Sequence, residues 1–351
     1  MAPTSTARTA RPARASASRV DRRPTGGLPG SLQVLLDAWT TASALGGSQR
    51  RCAVDFGIVG LQLAPARAGV AARLDALDAL VGEHAPGRHL VVTPELTLTG
   101  YGPPPPDALP DAVVLDRLAA IAAHHDVALV VGHAVTTGGA VRNAAVVVDR
   151  RGRVRAVHAK AHLFGDEHDW FTPGDAAPVV VDLDGLRVAV ALCYDVEFPE
   201  YVRMVADEVD LVVVPAVLLG PPAVTRPILD LVLPARAWEC RCYVLYVNVA
   251  GDAETEGVGS SRLVGPDGTV LAGCGPAPDV LRATVRTTAV AAARAELGYL
   301  RDRRPCLYAG HRAGVPDAAA ALRGVVPPDD VATTGVATPN QRHPDAEETQ
   351  P

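Results

Sequence analysis

An α/β fold, with mixed sheets covered by helices, is the architecture this sequence predicts. Three observations point to it. Apolar runs of strand length recur along the chain, amphipathic stretches of helical period lie between them, and hairpin turn dipeptides interrupt the alternation. Val54 to Leu63 is almost continuously apolar and reads as a strand, whereas Val70 to Glu83 places Leu74, Leu77, Leu80 and Val81 on one helical face. Leu90 to Thr93 is a second strand and Asp111 to His125 a second helix. Strands follow near Val127 to Val135, Ala144 to Asp149 and Val154 to His158. Val179 to Val181 and Leu186 to Leu192 bracket Asp184-Gly185, a hairpin dipeptide. A helix from Pro199 to Glu208, a strand from Leu211 to Val214, a helix from Val224 to Cys240, a strand from Val244 to Asn248 and a hairpin around Pro266-Asp267-Gly268 complete the pattern. No repeat of 20 to 50 residues is present.

Both ends differ from this middle. Residues 1 to 30 carry six arginines (8, 11, 14, 19, 22 and 23) among Ala, Ser, Thr and Pro. Such a composition buries too little apolar surface to offset its ordering entropy, so residues 1–50 are expected to form a disordered tail. The Ala/Pro/Asp/Thr-rich stretch 312–351 is expected to be a second one. That leaves 51–311 as one domain, a size a single α/β unit accommodates.

The chain carries a net charge of −6, and nothing in it calls for nucleic acid as a partner. No run reaches the ~18 apolar residues of a membrane span, and the weakly apolar stretch 32–45 is too interrupted and too late for a secretory signal. A cytoplasmic protein follows. The six cysteines (52, 193, 240, 242, 274 and 306) form no disulfide framework, and Cys240-Arg241-Cys242 has a one-residue gap rather than zinc spacing. Neither a metal nor any other cofactor is called for, and Cys193 is expected to be a reduced thiol.

Lys160 is the only lysine; the other 32 of the 33 basic residues are arginine. Arg and Lys differ in shape, hydration and pKa range, which makes a single ammonium worth following. In sequence it lies between Glu95, just after an apolar run, and Cys193, just after another. Ligand sites in α/β folds gather at the carboxyl ends of strands. A carboxylate directly after a buried strand needs a cation, and Lys160 is the one offered. Cys193 opens the polar and aromatic turn Tyr194-Asp195-Val196-Glu197-Phe198-Pro199-Glu200, where a helix N-terminus and a cation lower a thiol pKa. An acid/base, a cation and a nucleophile are therefore in hand.

These segments closely resemble the nitrilase superfamily of carbon-nitrogen hydrolases. The matching pieces are Pro94-Glu95-Leu96-Thr97-Leu98-Thr99-Gly100-Tyr101, Lys160-Ala161-His162-Leu163-Phe164-Gly165 with Phe171 and Gly174 downstream, Cys193 to Glu200, and Pro234-Ala235-Arg236-Ala237-Trp238-Glu239. The resemblance spans about residues 54 to 300 and implies a four-layer αββα sandwich. It also implies a Glu95-Lys160-Cys193 triad: Glu95 as general base, Cys193 as the nucleophile that forms a thioester, and Lys160 with the backbone N–H of Tyr194 as oxyanion hole. Glu167 is the candidate for the second carboxylate many members carry, in a register crowded by His168 and Asp169; the alternative is that Asp166, Glu167 and Asp169 form a merely solvated loop. Tyr101, Trp170 and Glu197 are candidate substrate-binding residues, and a homo-oligomer, dimer or larger, is expected.

Within the superfamily the strings around Lys160 and Cys193 look most like amidases of aliphatic and ω-amino amides, of the δ-aminovaleramide and R-stereoselective types. Pro215-Ala216-Val217-Leu218-Leu219-Gly220-Pro221-Pro222 departs from the more polar segment of those relatives and implies a more apolar pocket wall. Relatives that hydrolyse N-carbamoyl amino acids tend to carry arginine where this chain has Glu197, so a neutral or amine-bearing amide is the expected substrate. The rivals are a nitrilase or N-carbamoyl amide hydrolase on the same fold, a non-catalytic binding or assembly member, and a Cys-His hydrolase using His158, His162 or His168.

Overall fold

The computed structural model describes residues 53–65, 68–104, 109–251 and 257–310. The expected tails 1–50 and 312–351 lie outside the described residues.

The first half of the chain builds one sheet. Its strands are β1 (Asp55–Gln62), β2 (Leu90–Val92), β3 (Ala128–Thr137), β4 (Ala140–Val148), β5 (Val154–Ala159) and, from the far end of the sequence, β12 (Asp279–Arg286). The second sheet holds β6 (Val180–Leu183), β7 (Leu186–Val190), β8 (Leu211–Ala216), β9 (Tyr243–Asn248), β10 (Arg262–Val264) and β11 (Val270–Gly273). The strand orders are β12-β1-β2-β3-β4-β5 and β11-β10-β9-β8-β7-β6. β1, β2 and β3 are parallel, as are β7, β8 and β9, and antiparallel strands complete each sheet.

Three apolar layers hold this together. Between the sheets, Phe56, Ile58, Leu90, Val92, Val130 and Val147 meet Val188, Val190, Val213, Leu245 and Val247. Outside the first sheet, Leu74, Leu77 and Val81 of α1 (Val70–His84) and Leu115, Leu118 and Ile121 of α2 (Asp111–His124) pack on Val59, Val91 and Val131. Outside the second, Tyr201 and Val202 of α4 (Pro199–Arg203), which follows the one-turn α3 (Glu167–Trp170), join Leu233 and Ala237 of α6 (Leu233–Cys240). Alternate residues of each buried strand thus face two different cores, which is why these strands read as continuous apolar runs. The result is the αββα sandwich.

Four differences from the sequence reading stand out. β12 and the following α7 (Thr287–Glu296) escape the pattern, because β12, at the sheet edge, mixes exposed, half-buried and buried positions rather than forming an apolar run. The helix expected to Glu208 stops at Arg203, and residues 204–208 continue as turns. The helix expected from Val224 to Cys240 is α5 (Pro222–Pro227), a π segment (Ile228–Val232) and α6. Pro227 and Pro234 each lack a backbone donor, and the ladder widens between them. A short α8 (Pro305–Gly310) lies past the division that falls between Leu300 and Arg301.

Candidate active site

β2, β5, β7 and β8 all present their carboxyl ends to one region. Glu95 sits three residues past β2, Lys160 directly past β5, Cys193 three residues past β7 and Val217 directly past β8. The first two belong to one sheet and the last two to the other, so the sandwich itself brings them together.

Glu95 reaches its position through a close approach of backbones. Leu96 takes a left-handed φ of 49°, and the loop lies directly over Gly132 of β3. A Cβ at Gly132 would overlap the Pro94 carbonyl and the Leu96 N–H and stand 2.8 Å from the Glu95 carbonyl carbon. Only glycine fits there. Glu95 Oε1 then accepts from Lys160 Nζ at 2.8 Å and from Asn143 Nδ2 at 2.7 Å, and Oε2 accepts from the Val217 N–H at 2.9 Å.

Lys160 Nζ makes a second bond of 2.8 Å, to Glu167 Oε1. The side chains of Lys160, Glu95 and Glu167 are 1%, 0% and 1% exposed, so this is a buried triad of one cation and two carboxylates. Burial pulls the Lys160 ammonium down, but the charges of Glu95, Cys193 and Glu167 more than offset it and hold the group above its ordinary value. Burial, then the charge of Glu95, pushes the Glu167 carboxyl up against the opposing pull of Lys160. Glu167 Oε2 also accepts from the Phe164 N–H at 3.1 Å, which fixes the loop between them. Of the three acids in that loop it is therefore Glu167, not Asp166 or Asp169, that joins the cluster.

Cys193 begins a 3₁₀ turn (Cys193–Glu197) with a left-handed φ of 42°. A non-glycine residue at such a φ is strained, and strain of this kind concentrates at functional sites. Its Sγ lies 3.8 Å from the Val217 carbonyl. The backbone of one residue, Val217, thus touches both the carboxylate of Glu95, through its N–H, and the thiol of Cys193, through its carbonyl. The lowered thiol pKa expected from a helix N-terminus and a nearby cation is not found. Burial first, then the charge of Glu95, pushes the thiol well above its ordinary range, and Lys160 only partly opposes them. One ammonium already shared by two carboxylates has little field left for a thiolate.

The remaining sequence candidates surround this cluster. Tyr101 meets Trp170 edge to face at 5.7 Å, and burial with the charges of Glu167 and Glu95 pushes its phenol up. Tyr194 packs edge-on against Phe164 and Phe198 at 5.1 and 4.9 Å, and its N–H belongs to the first turn of the 3₁₀ helix, where such groups lack helical acceptors. Glu197 ends that turn. Its carboxyl is pushed up by burial, opposed by the charges of Arg236 and then Lys160, and it caps no helix. Arg236 holds the Val196 and Glu197 carbonyls at 2.8 and 2.7 Å. A cavity of about 850 Å³ shares Glu95, Val217 and Tyr101 with the site, and its wall is mainly apolar, including Leu77, Leu80, Leu219 and Val249, with Arg73, Thr97 and Thr99 as polar exceptions. Of residues 215–222, Val217 and Leu219 line it.

The histidines do other work. His158 is buried, bonds Tyr201 Oη at 3.3 Å and is lowered by burial, His168 is exposed, and among the described residues none hydrogen-bonds Cys193. Reasoning from sequence missed Asn143, Asp195, Val217 and Tyr246. Asn143 announces itself only as an amide within the apolar strand β4, and Val217 contributes only its peptide. The Tyr246 phenol is pushed up by burial and then by Cys193, Glu95 and Glu197, which puts it beside the nucleophile. Among the described residues no group of three or more His, Cys, Asp or Glu side chains is arranged to hold a metal ion, the five cysteines there are free, and no helix is long and apolar enough to cross a membrane.

The model of the carbon-nitrogen hydrolase family matches residues 57–295. A Pseudomonas protegens protein described as "hydrolase in pqqF 5'region" is 34% identical over 256 residues, 70% of this chain and 88% of its own length. An (R)-stereoselective amidase from a Pseudomonas species is 34% identical over 197 residues, 55% of this chain and 69% of that protein. Among solved structures, an amidase from Nesterenkonia sp. AN1, seen with acrylamide added to its active-site cysteine, is 29% identical with a TM-score of 0.62, covering 73% of this chain and 99% of that one.

Proposed function

The chain belongs to the carbon-nitrogen hydrolase family of the nitrilase superfamily, and from that premise we propose that it is an amidase cleaving a small aliphatic or amine-bearing carboxamide to carboxylate and ammonia. What carries this reading is the convergence of Glu95, Lys160 and Val217 on Cys193 at the carboxyl ends of four strands. In the proposed cycle Glu95 takes the Cys193 proton as Sγ bonds to the amide carbon. The carbonyl π pair moves onto oxygen, where Lys160 and the Tyr194 N–H stabilise it. Collapse breaks the C–N bond, Glu95 returns the proton to nitrogen, and ammonia leaves a thioester on Cys193. Water then attacks with Glu95 as base, the C–S bond breaks, the thiol regains its proton, and the carboxylate departs. Because the thiol is held protonated at rest, its activation belongs to the moment of attack, and the adjacent carboxylate supports that order.

Glu197 supports the amine-bearing branch of the substrate class. Its carboxylate has no hydrogen-bond partner among the described residues, yet it lies within electrostatic reach of Lys160 and Tyr246. A further carboxylate within electrostatic reach of Lys160 repels an acidic substrate and favours an ammonium, by a Coulomb energy that grows as water is excluded. The test is kcat/KM for an ω-amino amide and for its N-carbamoyl acid counterpart, on wild type and Glu197→Gln. A preference for the amine that collapses on substitution supports the reading; equal use of both by wild type removes it. Ammonia release across amides and nitriles separates amidase from nitrilase, since a nitrilase consumes the nitrile directly. The proposal includes a homo-oligomer in the cytoplasm, which sedimentation and cell fractionation check.

A further inference from the structure

We infer that Asp195 is a positioning residue that fixes the Lys160 segment against the Cys193 turn, so that the ammonium and the Tyr194 N–H aim at one oxyanion. The inference rests on the amidase reading above. Asp195 is fully buried, and both of its oxygens are engaged. Oδ1 accepts from the His162 N–H and from His162 Nδ1, each at 2.8 Å, while Oδ2 accepts from the Leu192 N–H at 3.1 Å and the Ala161 N–H at 3.4 Å. A carboxylate only accepts, so Nδ1 of His162 carries its proton.

The identity of these donors gives the arrangement its meaning. Leu192 immediately precedes Cys193, and Ala161 and His162 immediately follow Lys160. One carboxylate therefore ties together the chain on either side of the two groups, although Lys160 leaves the first sheet and Cys193 the second. Only the Leu192 bond is local; the other three reach back 33 or 34 residues. A carboxylate that merely capped its own turn would need none of those three. The His162 ring is itself held, stacked on Phe198 at 3.9 Å and 12° and set edge-on to Tyr201 at 5.0 Å. Tyr194, whose N–H is the second oxyanion donor, is the residue between Cys193 and Asp195. Rotating this staple would move both donors relative to each other while leaving the thiol beside Val217 and Glu95.

That separation makes the inference testable. Amide hydrolysis needs nucleophile, base and oxyanion donors, whereas capture of Cys193 by methyl methanethiosulfonate needs only the first two: the Cys193 sulfur bonds to the reagent's sulfur, sulfinate leaves, and no carbonyl oxygen gains charge. Full-length Asp195→Asn turns an NH2 donor toward N–H groups in place of one accepting oxygen, and His162→Phe keeps the ring stack and the backbone N–H while deleting the Nδ1 bond. Each is assayed for ammonia release, for modification of Cys193 followed by mass spectrometry against a Cys193→Ala control, and for fold by circular dichroism. We expect Asp195→Asn to lose about 100-fold in kcat and His162→Phe about tenfold, with KM and the Cys193 modification rate within about threefold of wild type. A folded Asp195→Asn in which both rates fall together, or in which neither falls, overturns the inference by making Asp195 a general structural residue or a spectator. If Asp195→Asn does not fold, His162→Phe decides alone, and a kcat within about twofold of wild type overturns it. Wild type that releases no ammonia from any amide overturns the amidase reading instead, and the wild-type arm identifies that failure.

Discussion

Replacing Lys160 by methionine is the most informative single perturbation, because one change uncovers two carboxylates. The ammonium lies 2.8 Å from Glu95 and 2.8 Å from Glu167, and no side chain of the three exceeds 1% exposure. Methionine keeps the unbranched stem and removes the charge and both hydrogen bonds. Taking away one partner of a buried pair costs about 3–5 kcal/mol, and here the residual site holds two like charges without a cation. A loss of at least ~4 kcal/mol at pH 8 follows, a large part of the 5–15 kcal/mol, roughly, that a domain possesses. The pH dependence has a definite sign. Glu167 is already raised by burial and by Glu95, and the substitution raises it further. An acid whose folded pKa exceeds its unfolded value of about 4.3 is stabilising when protonated and loses that contribution as pH climbs through the folded value. The deficit of the variant must therefore shrink toward pH 5. Urea denaturation at pH 5 and pH 8 measures it. Lys160→Met/Glu167→Gln should recover part of the stability and none of the ammonia release, since the oxyanion donor is still absent. A deficit under about 1 kcal/mol at pH 8, or one independent of pH, refutes the buried-triad argument.

Other expectations follow from the same geometry. Cys193→Ala should abolish ammonia release with the fold intact, and Cys193→Ser should come close to it because a hydroxyl is the weaker nucleophile; turnover within about tenfold of wild type in either removes the thioester route. Lys160→Arg keeps the charge but misplaces it and should cost ~100-fold in kcat, with near wild-type activity returning Lys160 to a purely structural role. Ultraviolet difference absorbance between wild type and Cys193→Ala should show no Cys193 thiolate at pH 8, given that burial and Glu95 hold the thiol up; a thiolate band at that pH contradicts base activation. Gly132→Ala drives a methyl into the Pro94 carbonyl and the Leu96 N–H and should destabilise by about 1–3 kcal/mol while lowering kcat through Glu95, so an unperturbed thermal midpoint argues against the close approach.

What could be read from the residues, and what could not, divides along a physical line. Strands buried on both faces declare themselves as continuous apolar runs, and a charged or nucleophilic side chain just past such a run is conspicuous, which is how Glu95, Lys160 and Cys193 were legible. Glu167 was legible as the candidate, but the crowded register left a solvated loop as the alternative, and only packing shows it turned inward onto Lys160. Val217 had no signature at all: its contribution is a peptide, and every residue has one. Asn143 and Asp195 were polar residues whose partners lie 48 and 33 or 34 residues away; the first pairing becomes visible only when the first sheet is assembled, the second only when the two sheets are stacked. The same stacking overturned the expected thiol. Read along the chain, Cys193 has a cation for a neighbour and a helix start beneath it, both of which lower a pKa. In the folded site that cation is already bonded to two carboxylates, the net charge of the Glu95-Lys160-Glu167 cluster is negative, and the thiol is buried against it. Burial and Glu95 hold this thiol from ionising, and in the proposed cycle it gives up its proton only as a substrate carbonyl takes up charge beside Lys160 and the turn N–H.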